Sequence, residues 1–210
     1  MIRLRVGSSV DDTVLHRVVD VISAGGVVAV PTDTLYGLAA DPFNEAAVAR
    51  VFAAKDRPTG RPVPLIAADR DQVANCIGPL PRSAERLAKA FWPGPLTILL
   101  DAPPALAPDV TGGTGRVGVR VPAHEVARAV CRACAIPLTA TSANVSDMPS
   151  SADPDEVERA LASRIDLLLD SGTIAGGPPS TIVDLSAPTP RLVRAGAVDW
   201  HEVLACLQRA

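Results

Sequence analysis

The apolar positions of this chain fall into two periods, one of 3.6 residues and one of 2, and they trade places along its length. In "DDTVLHRVVDVISAGG" Val14, Leu15, Val18 and Ile22 make a helical stripe, with Asp11 or Asp12 as the cap and Gly25 at the stop. "VVAV" at 27–30 is short, branched and wholly apolar, as a buried strand is. "NEAAVARVFAAK" returns to helical spacing, capped by Asn44, with Val48, Val51 and Phe52 inward. The same reading gives a strand in "VPLIAA", a short helix in "DRDQVANCI" and a helix in "PRSAERLAKAF". Strands follow in "PLTILL" and "RVGVRVP", then a helix in "HEVARAVCRACA" and a strand in "PLTATS". Asp153 with Pro154 and Glu156 marks another helix start, "PDEVERALAS", before the strand "IDLLLD". "STIVDL" and "PRLVR" read as strands with no helix between them, and "VDWHEVLACLQRA" as a closing helix. Alternation that breaks down near the end predicts an α/β domain with a mixed sheet.

Composition narrows the class. The chain has 210 residues, a length suited to one domain over 1–210. It is 48% apolar but only 3% aromatic, so Val, Leu, Ile and Ala must fill the core, and stacking platforms for bases are scarce. A net charge of −3 argues against a strongly basic nucleic-acid binder, though a local basic patch is compatible with it. No apolar run reaches membrane-spanning length, and "MIRLRVGSSVDDT" lacks a signal-peptide core, so a cytoplasmic protein without a membrane role is expected. Cys131 and Cys134 form a CxxC pair. With no second pair and helical spacing between them, they read as small core residues on one helix face rather than a metal or redox site.

The chemistry gathers at strand ends. "PTDTLYGLAAD" places Thr32, Asp33, Thr34 and Tyr36 directly after a buried strand, where Pro31 would stop the strand and Gly37 would let the backbone turn. An ordinary turn, with Asp33 and Thr34 satisfying local backbone groups, is the plain alternative. "KDRPTGRP" sets Lys55, Arg57 and Arg61 on a proline-stiffened loop, which suits an anionic ligand such as a triphosphate and equally a solvated turn. "TATSANVSD" offers Thr139, Thr141, Ser142, Asn144 and Ser146, for a ligand or for turn and cap chemistry. "GGPPSTIVD" offers Ser180 and Thr181. Alternation in "RVGVRVP" puts Arg116, Gly118 and Arg120 on one face, where an inward Arg needs a carboxylate or phosphate partner, and Arg194 closes another strand. "GTGRVG" matches GxGxxG but enters a strand instead of opening a helix, so it reads as a glycine turn or anion nest, not a dinucleotide fingerprint. His16, His124 and His201 fall on helices or their edges and read as surface or packing residues.

In order along the chain, "PTDTLYGLAAD", "AKDRPTGRPVPLI", "FWPGPLT", "VGVRVPAH", "PLTATSANVS", "DSG", "PSTIVDL" and "LVRAGAV" resemble the YrdC-type threonylcarbamoyl-adenylate synthase family in its short, single-domain form. The resemblance implies a twisted mixed α/β sheet, flanked by helices, around a large electropositive cavity. It implies a nucleotidyltransferase that joins L-threonine, bicarbonate or CO2 and ATP, with Mg2+ accompanying ATP, into threonylcarbamoyl-adenylate and pyrophosphate for tRNA modification. Downstream threonylcarbamoyl-transfer proteins would be partners, with weak tRNA binding a further expectation. Residue by residue it assigns Thr34, Thr32, Tyr36, Arg120, Thr141 and Ser180 to L-threonine, and Lys55, Arg57, Arg61, Ser142, Asn144 and Arg194 to ATP. No catalytic acid, base or metal ligand is assigned, because positioning and charge neutralisation suffice for in-line attack on phosphorus. Asp147 stands where a glycine is common, and Ala67-Ala68 where a histidine is often found. An RNA-binding module of the same fold, or a paralogue acting on another amine, are the alternatives.

Overall fold

The structure, a computed structural model, describes residues 1–7 and 9–208. Ser8 and the last two residues of the final sequence-predicted helix lie outside the described residues.

Two mixed sheets form where one was expected. The first has five strands, β1 (Ile2–Arg5), β2 (Val28–Val30), β3 (Gly37–Ala39), β8 (Thr141–Ser142) and β9 (Leu167–Asp170), in the order β1-β9-β2-β3-β8. β9 runs parallel to both β1 and β2, whereas β3 is antiparallel to β2 and β8. The second has six, β4 (Leu65–Ile66), β5 (Leu96–Asp101), β6 (Arg116–Arg120), β7 (Leu138–Thr139), β10 (Thr181–Asp184) and β11 (Arg191–Arg194), in the order β11-β10-β5-β6-β4-β7.

Each sheet is covered as its side-chain alternation dictates. In the first, Val28, Val30, Leu167 and Leu169 face one way, onto α1 (Asp12–Ser23) and α6 (Glu125–Cys134). Val27, Ala29 and Leu168 face the other way, onto α2 (Glu45–Ala54) and α7 (Pro154–Leu161). A strand buried on both faces must be apolar throughout, which is why "VVAV" and "LLL" carry no polar alternation. In the second sheet Leu96, Ile98, Val117, Val119 and Val183 face a core closed by α3 (Arg70–Cys76), α4 (Arg82–Phe91), α5 (Pro108–Thr111) and α8 (Trp200–Gln208). The alternate residues of those strands, Thr97, Gly118, Arg120 and Ile182, face away from that core.

The helix caps follow the sequence reading. Asp11, Asn44 and Asp153 accept from the first-turn N–H groups of α1, α2 and α7. Cys131 and Cys134 lie on the inner side of α6; both are unbridged, and burial pushes both thiols up, Cys134 to about 11. Gly112, Gly113 and Gly115 form a left-handed turn between α5 and β6.

Four features depart from expectation. The edge strand β1 reads as polar, "IRLR", and is held by Arg3, whose guanidinium pairs with Asp155, Glu158 and Asp170. Gly37 does not turn the chain: it opens β3, paired with Val30 on one side and Ser142 on the other. The loop "DAPPALAPDV" contains the one-turn helix α5. "PLTATS" is two strands, because the chain crosses from one sheet to the other at Ala140, whose N–H donates to Pro64 O at 2.8 Å.

Candidate active site

That crossing opens a cavity between the sheets, and three segments frame it. One is the loop 31–36, which joins β2 to β3 as a hairpin. Thr32 organises it: its hydroxyl donates to Leu35 O at 2.7 Å and accepts from the N–H groups of Thr34 (3.2 Å) and Leu35 (3.3 Å). With its one hydrogen used, Thr32 accepts from Thr34 across the 3.1 Å gap between their hydroxyls. Tyr36 is fully buried; its hydroxyl donates to Gly172 O and accepts from Ser171 N, and burial pushes it up to about 12. Tyr36 therefore pins the loop to the end of β9.

The second segment follows α2. Arg57 donates to Thr141 Oγ1 (3.2 Å) and to the carbonyls of Arg61 and Pro62, and its guanidinium lies 5.8 Å from the Phe52 ring centre. Burial, then Arg61, pull its pKa below the ordinary value; a guanidinium still keeps its charge. Lys55 turns inward instead. It is 2% exposed, and its ammonium donates to the carbonyl of Ser142, to Asn144 O (2.7 Å) and to Asn144 Oδ1 (3.3 Å). Asn144 in turn donates to Val145 O and Met148 O. Lys55 and Asn144 thus build the loop after β8 rather than facing the cavity. Asp147 in that loop has φ +64°, the left-handed conformation a glycine adopts without strain.

The third is formed where the chain enters β10 and leaves β11. Ser180 Oγ lies 2.8 Å from Thr97 Oγ1 and accepts from Arg194 Nη2 at 3.0 Å; Arg194 also grips Ser180 O. Gly196 permits this close approach, since a Cβ there would stand 2.1 Å from Pro179 O.

Together these segments enclose a cavity of about 340 Å³, within the usual ~300–1,000 Å³ of small-ligand sites. Thr32, Thr34, Tyr36, Arg57, Arg120, Thr141, Ser142, Ser180 and Arg194 all line it. Lys55, Asn144 and Arg61 do not; Arg61 is exposed on the adjoining loop. Thr97, Ile66, Ile182 and Ser150 also line it and escaped the sequence reading. Thr97 was legible as the lone polar residue of "PLTILL", alternating with apolar neighbours. Ala67 and Ala68 are buried in the core beside it.

Charge in the cavity is one-sided. Arg57, Arg120 and Arg194 supply cations, and no Asp or Glu is among the described residues that line it. Arg194 is pulled below its ordinary value by burial and by Arg120. Arg120 is 7% exposed, with Nη1 3.4 Å from Thr34 Oγ1 and 3.3 Å from Asp33 Oδ1. Arg116, on the same strand face, is instead neutralised by Asp101 at 2.7 Å and does not line the cavity. A second groove, beside Arg3, Arg5 and Asp170, has Arg3 already paired with Asp170. No group of three or more potential metal ligands occurs among the described residues, and no helix among them is long and apolar enough to cross a membrane.

Comparisons with known proteins bear on the family and the fold. The family model Sua5/YciO/YrdC, described as telomere recombination, matches residues 20–196. A protein named threonylcarbamoyl-AMP synthase from Pyrococcus abyssi (strain GE5 / Orsay) is 38% identical over 182 residues, 87% of this chain and 54% of that one. Another of that name, from Halorhodospira halophila (strain DSM 244 / SL1), is 41% identical over 174 residues, 82% of this chain and 86% of that one. The crystal structure of P. abyssi Sua5 complexed with L-threonine superimposes with a TM-score of 0.94 at 35% identity, covering 99% of this chain and 61% of that one. The chain thus spans little more than half the length of its Pyrococcus relative.

Proposed function

The chain belongs to the Sua5/YciO/YrdC family, and from that premise we propose that it is an L-threonylcarbamoyladenylate synthase. The observation that carries this reading is the cavity between the sheets, which offers three arginines and a ring of short hydroxyls with no carboxylate in its lining. Such a site suits two anionic ligands held side by side. The likeness to a Sua5 that binds L-threonine supports an amino acid as one of them.

In this reading Arg120 receives the threonine carboxylate, and Thr34, Thr141 and Ser180 surround the amino acid, with Thr32 and Tyr36 holding the wall behind it. Arg57 and Arg194 face the nucleotide, with Ser142 beside them, while Lys55 and Asn144 fix the loop that presents Ser142. Arg61, exposed next to Arg57, adds charge at the entrance. The threonine nitrogen, as the free amine, forms a bond to the carbon of CO2 while one C–O π pair moves onto oxygen, and an N–H proton passes to solvent, giving a carbamate. A carbamate oxygen then attacks the α-phosphorus of ATP, the bond to the bridging oxygen breaks, and pyrophosphate leaves with its electron pair. Each step asks for alignment and charge compensation rather than a strong acid or base. Mg2+ would travel on the ATP phosphates and water, since the lining offers it no carboxylate. The product is an activated acyl-adenylate, consumed by proteins that transfer the threonylcarbamoyl group to tRNA; weak tRNA binding at the basic entrance belongs to the same reading.

The test is pyrophosphate release by the intact chain. Release should need ATP, L-threonine and bicarbonate together. Turnover indifferent to threonine refutes the substrate, and tight, salt-sensitive tRNA binding without ATP turnover would favour an RNA-binding role.

A further inference from the structure

The loop "PTDT" splits its side chains. Thr32 and Thr34 line the cavity, whereas Asp33 does not. Its carboxylate does not satisfy the local backbone: both oxygens are buried without a hydrogen-bond partner among the described residues. What it faces is Arg120, on a strand of the other sheet, with Oδ1 3.3 Å from Nη1 but off the hydrogen-bonding direction. Two buried charges of opposite sign, brought together from the two sheets, are retained only where each compensates the other.

We infer that Asp33 is a positioning residue for the cavity's carboxylate site: standing behind Arg120, it fixes the guanidinium so that its remaining donors present themselves to the substrate carboxylate. This rests on the L-threonine reading above and adds to it a residue that never touches the substrate. Three observations converge on it. Thr34, next in the chain, lies 3.4 Å from the same Nη1, so Asp33 and Thr34 together fix one end of the guanidinium. Arg194 is close enough to Arg120 to repel it, and among the described residues Asp33 is the carboxylate that pairs with Arg120 against that repulsion. His124, half-buried with Nδ1 unpartnered among the described residues, is within electrostatic reach of Asp33, but burial holds it below its ordinary value, which favours the neutral ring and leaves Arg120 as the cation set against the carboxylate. A pre-oriented guanidinium binds without first being ordered, which is where the affinity arises.

Calorimetric titration of the intact chain tests this with L-threonine, L-threoninamide and ATP. Wild type should prefer threonine strongly over its amide. Asp33→Asn should weaken threonine at least about tenfold while the amide and ATP shift less than about threefold, and the steady-state KM for threonine should rise with kcat nearly kept. Asp33→Glu, which keeps the charge, should recover at least a third of the wild-type affinity, and it serves if the Asn variant does not fold. Unchanged threonine affinity in Asp33→Asn overturns the inference, as does a parallel loss of all three ligands, or a Glu variant no better than Asn. If wild type itself ignores threonine, the functional reading fails first, which the wild-type titration alone reveals.

Discussion

Replacing Lys55 by Met separates two roles for a buried cation. In the fold its ammonium holds the carbonyls of Ser142 and Asn144, and removing it strands both, at about 1–3 kcal/mol each. Against this, Met needs no desolvation of a charge. Burial first, and Arg57 second, lower Lys55 from 10.5 to about 8, so the buried charge itself costs roughly 3 kcal/mol. The stranded carbonyls outweigh that relief only modestly. A net loss of about 1 kcal/mol should lower the melting midpoint by roughly 2–4 °C in a domain of this size. The pH dependence has a definite sign. A depressed lysine pKa makes the protonated form the costly one in the fold; the penalty is complete below about pH 8 and fades as pH rises toward 10.5. Wild type therefore gains stability over that window and Lys55→Met does not, so the gap between their melting curves should widen with rising pH. Differential scanning fluorimetry of both ligand-free proteins across that range is the assay. A variant that melts with wild type yet binds ATP more than about tenfold more weakly would refute the reasoning. Lys55 would then leave the loop to act as a phosphate ligand, as the sequence resemblance implies.

Two further outcomes follow from the cavity. Arg57→Ala should weaken ATP about 10–100-fold with threonine little changed, and Arg120→Ala should do the reverse, each losing charge-assisted hydrogen bonds; small, equal effects in titrations of both would mean the ligands lie elsewhere. Gly118→Ala should act at a distance. Its Cβ would stand 2.9 Å from Thr97 Cγ2, forcing Thr97 off Ser180 at a cost of about 1–3 kcal/mol, read as a lower melting midpoint together with weaker threonine binding.

Much of the architecture was legible because burial sets the apolar pattern of each element. "VVAV" and "LLLD" announce strands buried on two faces, and Asp11, Asn44 and Asp153 announce helix starts. What period alone could not show is where the chain changes sheet. "PLTATS" has uniform strand character, and its division at Ala140 is set by pairing with Pro64 and Gly37, segments distant in sequence. Strand β3 escaped because its three residues are too few to show a period. The site was legible by residue type but not by orientation. Lys55 and Arg57 stand two apart on one loop, and only packing decides that Arg57 lines the cavity while Lys55 turns inward. Asp33 reads as a turn residue, and its charge finds a counterpart only when the fold brings Arg120 against it.

The most direct test of the central claim, that the cavity between the two sheets holds amino acid and nucleotide together, is a crystal structure of the protein with L-threonine and a non-hydrolysable ATP analogue. The expected result is the threonine carboxylate against Arg120 and the phosphates beside Arg57, in one continuous density under the 31–36 loop. Ligand density in the groove beside Arg3 and Asp170, with the inter-sheet cavity unchanged, would contradict it.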